Sequence, residues 1–180
     1  MMHKSESYRT GEKALTRSEY DKLLASIDNL EDELTLRLGV STGLRREDLF
    51  GLKIADLDLE HSKVTFRESK KNRSRTIDLE PGVILLIRKF LKTFEKRELL
   101  FSFTGRTGYN HFNSWCEIAG IPRRPFHALR ATCIKFCQQA GWTPEQVSKL
   151  TGDSIRVIQE HYSTPSADEM AEVVREKPIT

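Results

Sequence analysis

The sequence predicts a mainly α-helical domain with one small three-stranded antiparallel β-sheet. Two observations carry that expectation. Apolar residues recur at helical spacing in the first fifty residues and again after Pro81. Between these stretches the period drops to two, in Ile54–Leu59, Val64–Phe66 and Thr76–Leu79.

Taken in order, residues 1–14 read as a flexible polar lead-in. Thr16 stands three before Glu19, the capping-box spacing, ahead of a helix carrying Tyr20, Leu23, Leu24 and Ile27. A second helix is predicted from Leu30 to Ser41, breaking at Thr42-Gly43, and a short third from Leu44 to Leu52, where Arg45 and Asp48 share a face. After the three strands, Pro81 opens a helix with Val83, Leu85, Leu86, Ile87, Phe90 and Leu91. Leu99–Phe103 reads as extended and Gly105–Gly108 as a turn, with a helix from Tyr109 to Ala119. Pro122 and Pro125 bracket a basic linker, Arg123-Arg124. The next helix carries His127 and Arg130 on one side and Leu129, Cys133, Phe136, Cys137 and Ala140 on the other. A turn at Thr151-Gly152-Asp153 leads to a short amphipathic segment ending at Tyr162, and a break at Ser163-Thr164-Pro165 precedes a tail helix around Ala167–Arg175.

Composition bounds what such a chain does. At 180 residues it is long enough for one domain with a real core, and 38% hydrophobic with 31% charged residues excludes a disordered chain. No apolar run approaches the ~20 residues that span a bilayer, and Met1–Thr10 lacks an apolar signal core. Cys116, Cys133 and Cys137 form no CxxC pair, and His3, His61 and His111 have no ligand spacing, so no metal or other cofactor is expected. Core thiols imply a reducing, cytoplasmic setting. The net charge is only +3, but Arg67, Lys70, Lys71, Arg73 and Arg75 crowd a nine-residue run against one acid, Glu68. That run suits a polyanion such as double-stranded DNA, with Arg123 and Arg124 adding to it; a solvated hairpin tip is the other reading.

The remaining candidates suit phosphoryl chemistry. Arg45 and Arg130 offer planar forks for the oxygens of one phosphodiester and for the charge that grows on them in the transition state. A tyrosine hydroxyl such as that of Tyr162 is able to attack phosphorus, His127 to move its proton, and a hairpin lysine to protonate the departing oxygen.

These residues carry a resemblance. The chain resembles the catalytic domain of the tyrosine recombinases, the phage-integrase family. Thr42-Gly43-Leu44-Arg45 is similar to the family's first-arginine sequence, Asp48 stands where an acid braces that arginine, and His127-Ala128-Leu129-Arg130 is similar to its His-x-x-Arg. The family's lysine falls in the turn between the second and third strands, matched by Lys70 with Lys71 as the alternative. Thr151-Gly152-Asp153 occupies the turn from which the tyrosine follows nine residues on, at Tyr162. The resemblance covers 15–164, with 165–180 as a tail helix, and implies the fold of DNA breaking–rejoining enzymes. It also implies site-specific cleavage and rejoining of DNA through a 3′-phosphotyrosine, without a cofactor, by a tetramer on two DNA sites.

Two features depart from the pattern. The family has His or Trp where Asp153 stands; an ionised carboxylate repels a phosphate where those residues donate to it. A protonated Asp153, one turned to a neighbouring Arg or Lys, and a weakened catalyst all fit the sequence. The family's amino-terminal helical domain is also not represented, with only about fifteen residues before the first helix. Rival readings are a helix-turn-helix binder built on Pro144–Gly152 and Ser154–His161, a recombinase fold without strand transfer, and a type IB topoisomerase.

Overall fold

The first two helices begin where short polar side chains satisfy their free N–H groups. In the computed structural model of the chain, which describes residues 10–93, 97–162 and 167–179, α1 (Arg17–Ser26) starts at the expected capping box. Thr16 Oγ1 accepts from the Glu19 N–H and the Glu19 carboxylate accepts from the Thr16 N–H. Asn29 caps α2 (Leu30–Thr42) through the Asp32 N–H. That helix stops at Gly43, whose φ of 62° is left-handed.

After α3 (Arg46–Phe50) comes the sheet, β1 (Leu57–Asp58), β2 (Lys63–Glu68) and β3 (Arg73–Asp78), antiparallel in that order. Val64 pairs with Ile77 and Glu68 with Arg73. Then follow α4 (Pro81–Leu91), α5 (Gly105–Ile118), α6 (Ala128–Gln139), α7 (Pro144–Thr151), α8 (Ile155–Tyr162) and α9 (Ala167–Glu176). The architecture is the predicted one, mostly helical with a three-stranded sheet.

Three local expectations are corrected. Ile54–Asp56 is a 3-10 turn and only Leu57–Asp58 is strand, because the Asp56 carboxylate accepts from the Lys53 N–H and closes the backbone locally. Gly105–Gly108 is the first turn of α5, not a loop, because Thr104 caps it by accepting from Thr107. The end of the lead-in, Thr10–Lys13, is a 3-10 turn packed on α6, and Leu15 just beyond it is buried, its N–H donating to Thr132 Oγ1 at 2.8 Å. The break at Ser163–Pro165 lies outside the described residues.

Helix α6 is the axis of the molecule. Every residue from Ala128 to Ile134 is buried, with α2 on one side and α7 and α8 on the other. The main core includes Leu34, Leu38, Leu49, Ile87, Leu100 and Leu129; a second, smaller cluster joins Ala131, Ile134, Val147, Ile158 and Tyr162. Phe50, closing α3, lies 5.5 Å from Phe126, which leads into α6, and 5.4 Å from Phe101. Such ring pairs contribute about 0.5–1.5 kcal/mol each beyond their burial. They set the position of α3 against the start of α6, and with it the spacing of Arg45 and Arg130. Gly108 makes this possible: a Cβ there would stand 2.2 Å from Phe50 Cζ.

Candidate active site

Arg45 is placed by the abrupt end of α2. The left-handed Gly43 turns the chain back, and Arg45 then stands in extended conformation as the residue before α3. A side chain on Gly43 would press on Cys133 Sγ (3.1 Å) and Thr151 Cγ2 (3.2 Å), so glycine is required by space as well as by φ. The guanidinium of Arg45 donates from Nη1 to Glu68 Oε1 at 2.7 Å and reaches Asp153 Oδ1 from Nη2 at 3.4 Å.

Arg130 comes to the same place from α6. Its side chain is 2% exposed. Nη1 donates to the Gly43 carbonyl at 2.6 Å and Nη2 to the Thr151 carbonyl at 2.7 Å. Nε and Nη2 face the two oxygens of Asp153, at 3.0 and 2.8 Å. Arg45 and Arg130 therefore converge on one anion, the Asp153 carboxylate, as a pair of forks suited to phosphate does. Asp153 stands just past the left-handed Gly152, which ends α7 with φ 76°. Burial pushes the Asp153 carboxyl up, but the Arg130 hydrogen bond and charge, with the Arg45 charge, outweigh it and hold the pKa below its usual value. The structure turns the Asp153 side chain to the arginines, and the lowered pKa favours its ionised form.

His127 immediately precedes α6 and is exposed. The protein packed around its imidazole, then the Arg130 charge, lower its pKa, so the neutral form dominates at neutral pH. With Arg45, Arg130, Tyr109, Pro125 and Phe126 it lines a cleft of about 350 Å³.

The basic hairpin divides into two sets. Lys70 stands exposed at its tip, and Arg67 is exposed, its Nε on Asn72. Lys71 donates from Nζ to the Gly152 carbonyl at 2.6 Å. Arg73 pairs with Glu68 while half its side chain faces solvent. Arg75, expected on the DNA-facing surface, turns inward. It donates to the carbonyls of Thr151 (3.1 Å), Leu150 (2.6 Å) and Lys149 (3.4 Å), the open carbonyls at the end of α7. The attraction of a helix carboxyl terminus for a cation adds to these hydrogen bonds and to the ion pair with buried Glu68 at 3.4 Å. In the linker, Arg124 likewise turns to Glu19 at 2.6 Å, while Arg123 stays exposed beside Glu117.

Asp48 does not orient Arg45. Its Oδ1 accepts from the Ser69 N–H at 2.8 Å and so anchors the turn that carries Lys70 and Lys71. The nearer of the two acids on Arg45 is Glu68, fully buried at the end of β2 and shared by Arg45, Arg73 and Arg75. The sequence carried a signal for it: Glu68 falls in phase with Val64 and Phe66, the inward positions of β2.

Tyr162 is not among the residues brought to the arginine pair. It ends α8, is 3% exposed in the second cluster, and lines a different cavity together with Lys135, Gln138 and Val173. Among the described residues no group of three His, Cys, Asp or Glu side chains is arranged to hold a metal ion, and no helix is long and apolar enough to cross a membrane.

Tyrosine recombinase XerA of Saccharolobus solfataricus is 30% identical over 140 residues, covering 78% of this chain and 48% of that protein. The chain thus spans about half the length of this curated relative. Among solved structures, that of XerA recombinase superposes with a TM-score of 0.80 at 19% identity, over 93% of this chain and 66% of the other. The catalytic domain of bacteriophage HP1 integrase gives 0.66 at 20% identity, over 92% and 95%. The model of the phage integrase family matches residues 13–168, and on that match the chain belongs to this family.

Proposed function

We propose that this chain is the catalytic part of a site-specific recombinase that cleaves and rejoins duplex DNA through a 3′-phosphotyrosine. Arg45 and Arg130 hold the scissile phosphate and stabilise the charge that grows on its oxygens. The phenolic oxygen of Tyr162 attacks phosphorus, its proton passes to His127, and the bond to the 5′ oxygen breaks as Lys70 protonates that oxygen. One phosphodiester bond replaces another, so no external energy source enters; rejoining is the same step reversed. The observation that carries this reading is the convergence of Arg45 and Arg130 on one carboxylate. The depressed pKa of His127 supports its role as proton acceptor. The reading requires Tyr162 to leave its buried position in α8 when DNA is bound. The resemblance to the tyrosine recombinases implies a tetramer on two DNA sites as the working assembly.

A second reading is favoured by Asp153: a recombinase fold that binds DNA without cutting it, because a carboxylate stands at the anion site. The two separate on a nicked suicide duplex carrying the protein's binding site. A protein–DNA adduct that survives denaturant and vanishes in Tyr162→Phe supports the enzyme. Sequence-specific band shifts with no adduct support the binder.

A further inference from the structure

We propose that Asp153 is an internal occupant of the phosphate site, one that holds Arg45 and Arg130 together until a phosphate takes its place. The inference rests on the role given above to the arginine pair, but it concerns anion binding alone.

The donor inventory of Arg130 makes the case. A guanidinium has five N–H groups. In Arg130, Nε and one Nη2 hydrogen face Asp153, the other Nη2 hydrogen faces the Thr151 carbonyl, and one Nη1 hydrogen faces the Gly43 carbonyl. A single N–H remains, on a side chain 2% exposed. Gripping a phosphate by two adjacent donors therefore requires one partner to leave. The two carbonyls belong to backbone fixed by the ends of α2 and α7. The Asp153 side chain is the exchangeable one.

The two acids of the site differ in just this respect. Glu68 is wholly buried on a strand between three arginines. Asp153 lies between α7 and α8 with 15% of its side chain exposed. Its backbone is anchored independently, the carbonyl accepting from Ser148 Oγ at 2.6 Å and the N–H donating to Thr151 Oγ1 at 3.3 Å. The side chain is thus free to rotate outward without loss of the turn, and the Lys71 ammonium on the neighbouring Gly152 carbonyl offers it a resting partner. A phosphodiester carries the same single negative charge as the carboxylate, so the exchange leaves the buried arginines compensated at both ends. The cost falls on affinity, since every phosphate competes with a tethered anion.

The probe is inorganic sulfate, a dianion across the working range, titrated into the full chain at pH 7. Binding is read from the arginine Nε–Hε resonances. Asp153→Asn is expected to bind sulfate at least about tenfold more tightly than the unsubstituted chain, with the Arg45 and Arg130 resonances moving together. The gain is expected to disappear in Arg45→Gln/Asp153→Asn. Equal affinity in the two single proteins, or a gain that survives loss of Arg45, overturns the proposal. A second measurement needs no substitution: the Asp153 carboxyl carbon, facing Arg45 from before α3, His127 from before α6 and Arg130 from α6, with Lys71 and Arg75 of the hairpin on the neighbouring Gly152 and Thr151 carbonyls, is titrated with and without saturating sulfate. Displacement raises its pKa toward the ordinary carboxylate value; an unchanged pKa while the Arg45 resonance shifts overturns the proposal. Neither measurement involves strand cleavage, so a chain that binds sulfate as described but forms no adduct contradicts the proposed activity and leaves this inference standing.

Discussion

Glu68 Oε1 accepts from Arg45 Nη1 at 2.7 Å, which ties the strand that ends in the basic hairpin to the turn that presents the first arginine. The carboxylate is wholly buried and is shared by three guanidiniums. Glu68→Gln keeps the shape and removes the charge, leaving three cations with one fewer partner. Breaking a buried pair costs about 3–5 kcal/mol, and the retained amide oxygen holds the loss toward the lower end. Urea unfolding measures it.

Acid should destabilise the protein through the same site. Burial raises the Glu68 carboxyl, but the Arg73 and Arg45 hydrogen bonds and the Arg75 charge outweigh it, and its pKa is lowered; that of Asp153 is lowered too. A depressed folded-state pKa contributes stability in full above the unfolded value of about 4 and loses it as pH falls through the folded value. Unfolding free energy is therefore expected to hold constant down to about pH 5 and to fall below about 4. In Glu68→Gln the fall should be shallower. An acid limb of equal steepness in both proteins contradicts the assignment.

The helical architecture was legible in the sequence because its caps and periods are local. Thr16 and Glu19, Gly43, and the phase of Val64 and Phe66 each settle an element within a few residues. The site was legible in part. Arg45, His127 and Arg130 line one cleft, as their motifs implied. What was not legible depends on long-range competition for charge. Arg75 is one basic residue among five in its run, and the approach of the α7 terminus together with buried Glu68 turns it inward. Asp48 sits three after Arg45, yet the distant Ser69 N–H claims its carboxylate. The turn at Gly105–Gly108 was misread because two glycines outweighed a capping threonine that stands just before them.

Gly108 illustrates a packing constraint with a functional consequence. Its missing Cβ is the space that the Phe50 ring occupies. Gly108→Ala forces that ring, and the end of α3, to move, at about 1–3 kcal/mol. Thermal unfolding reads the loss, and the Arg45 Nε–Hε resonance should shift as α3 is displaced.

The two sets of hairpin cations separate by salt. Arg67→Ala removes an exposed charge and should leave stability within about 0.5 kcal/mol, while flattening the slope of log affinity for DNA against log salt by about 0.9. Arg75→Met should leave that slope unchanged and cost about 2–4 kcal/mol, since charged hydrogen bonds to the end of α7 contribute about 1.5–3 kcal/mol each. The reverse pattern contradicts the inward placement of Arg75.

Arg45→Ala tests the clamp itself. Cleavage of a suicide duplex should fall below detection while binding persists at low salt; an unaltered rate removes Arg45 from the site.

The identity of the nucleophile is the most direct test. The covalent product from the suicide duplex is digested with nuclease and trypsin, and the peptide spanning Tyr162 is sequenced by mass spectrometry. A nucleotide remnant on the Tyr162 side chain is the expected result. A remnant on another residue, or an unmodified Tyr162 peptide recovered from purified adduct, contradicts the account.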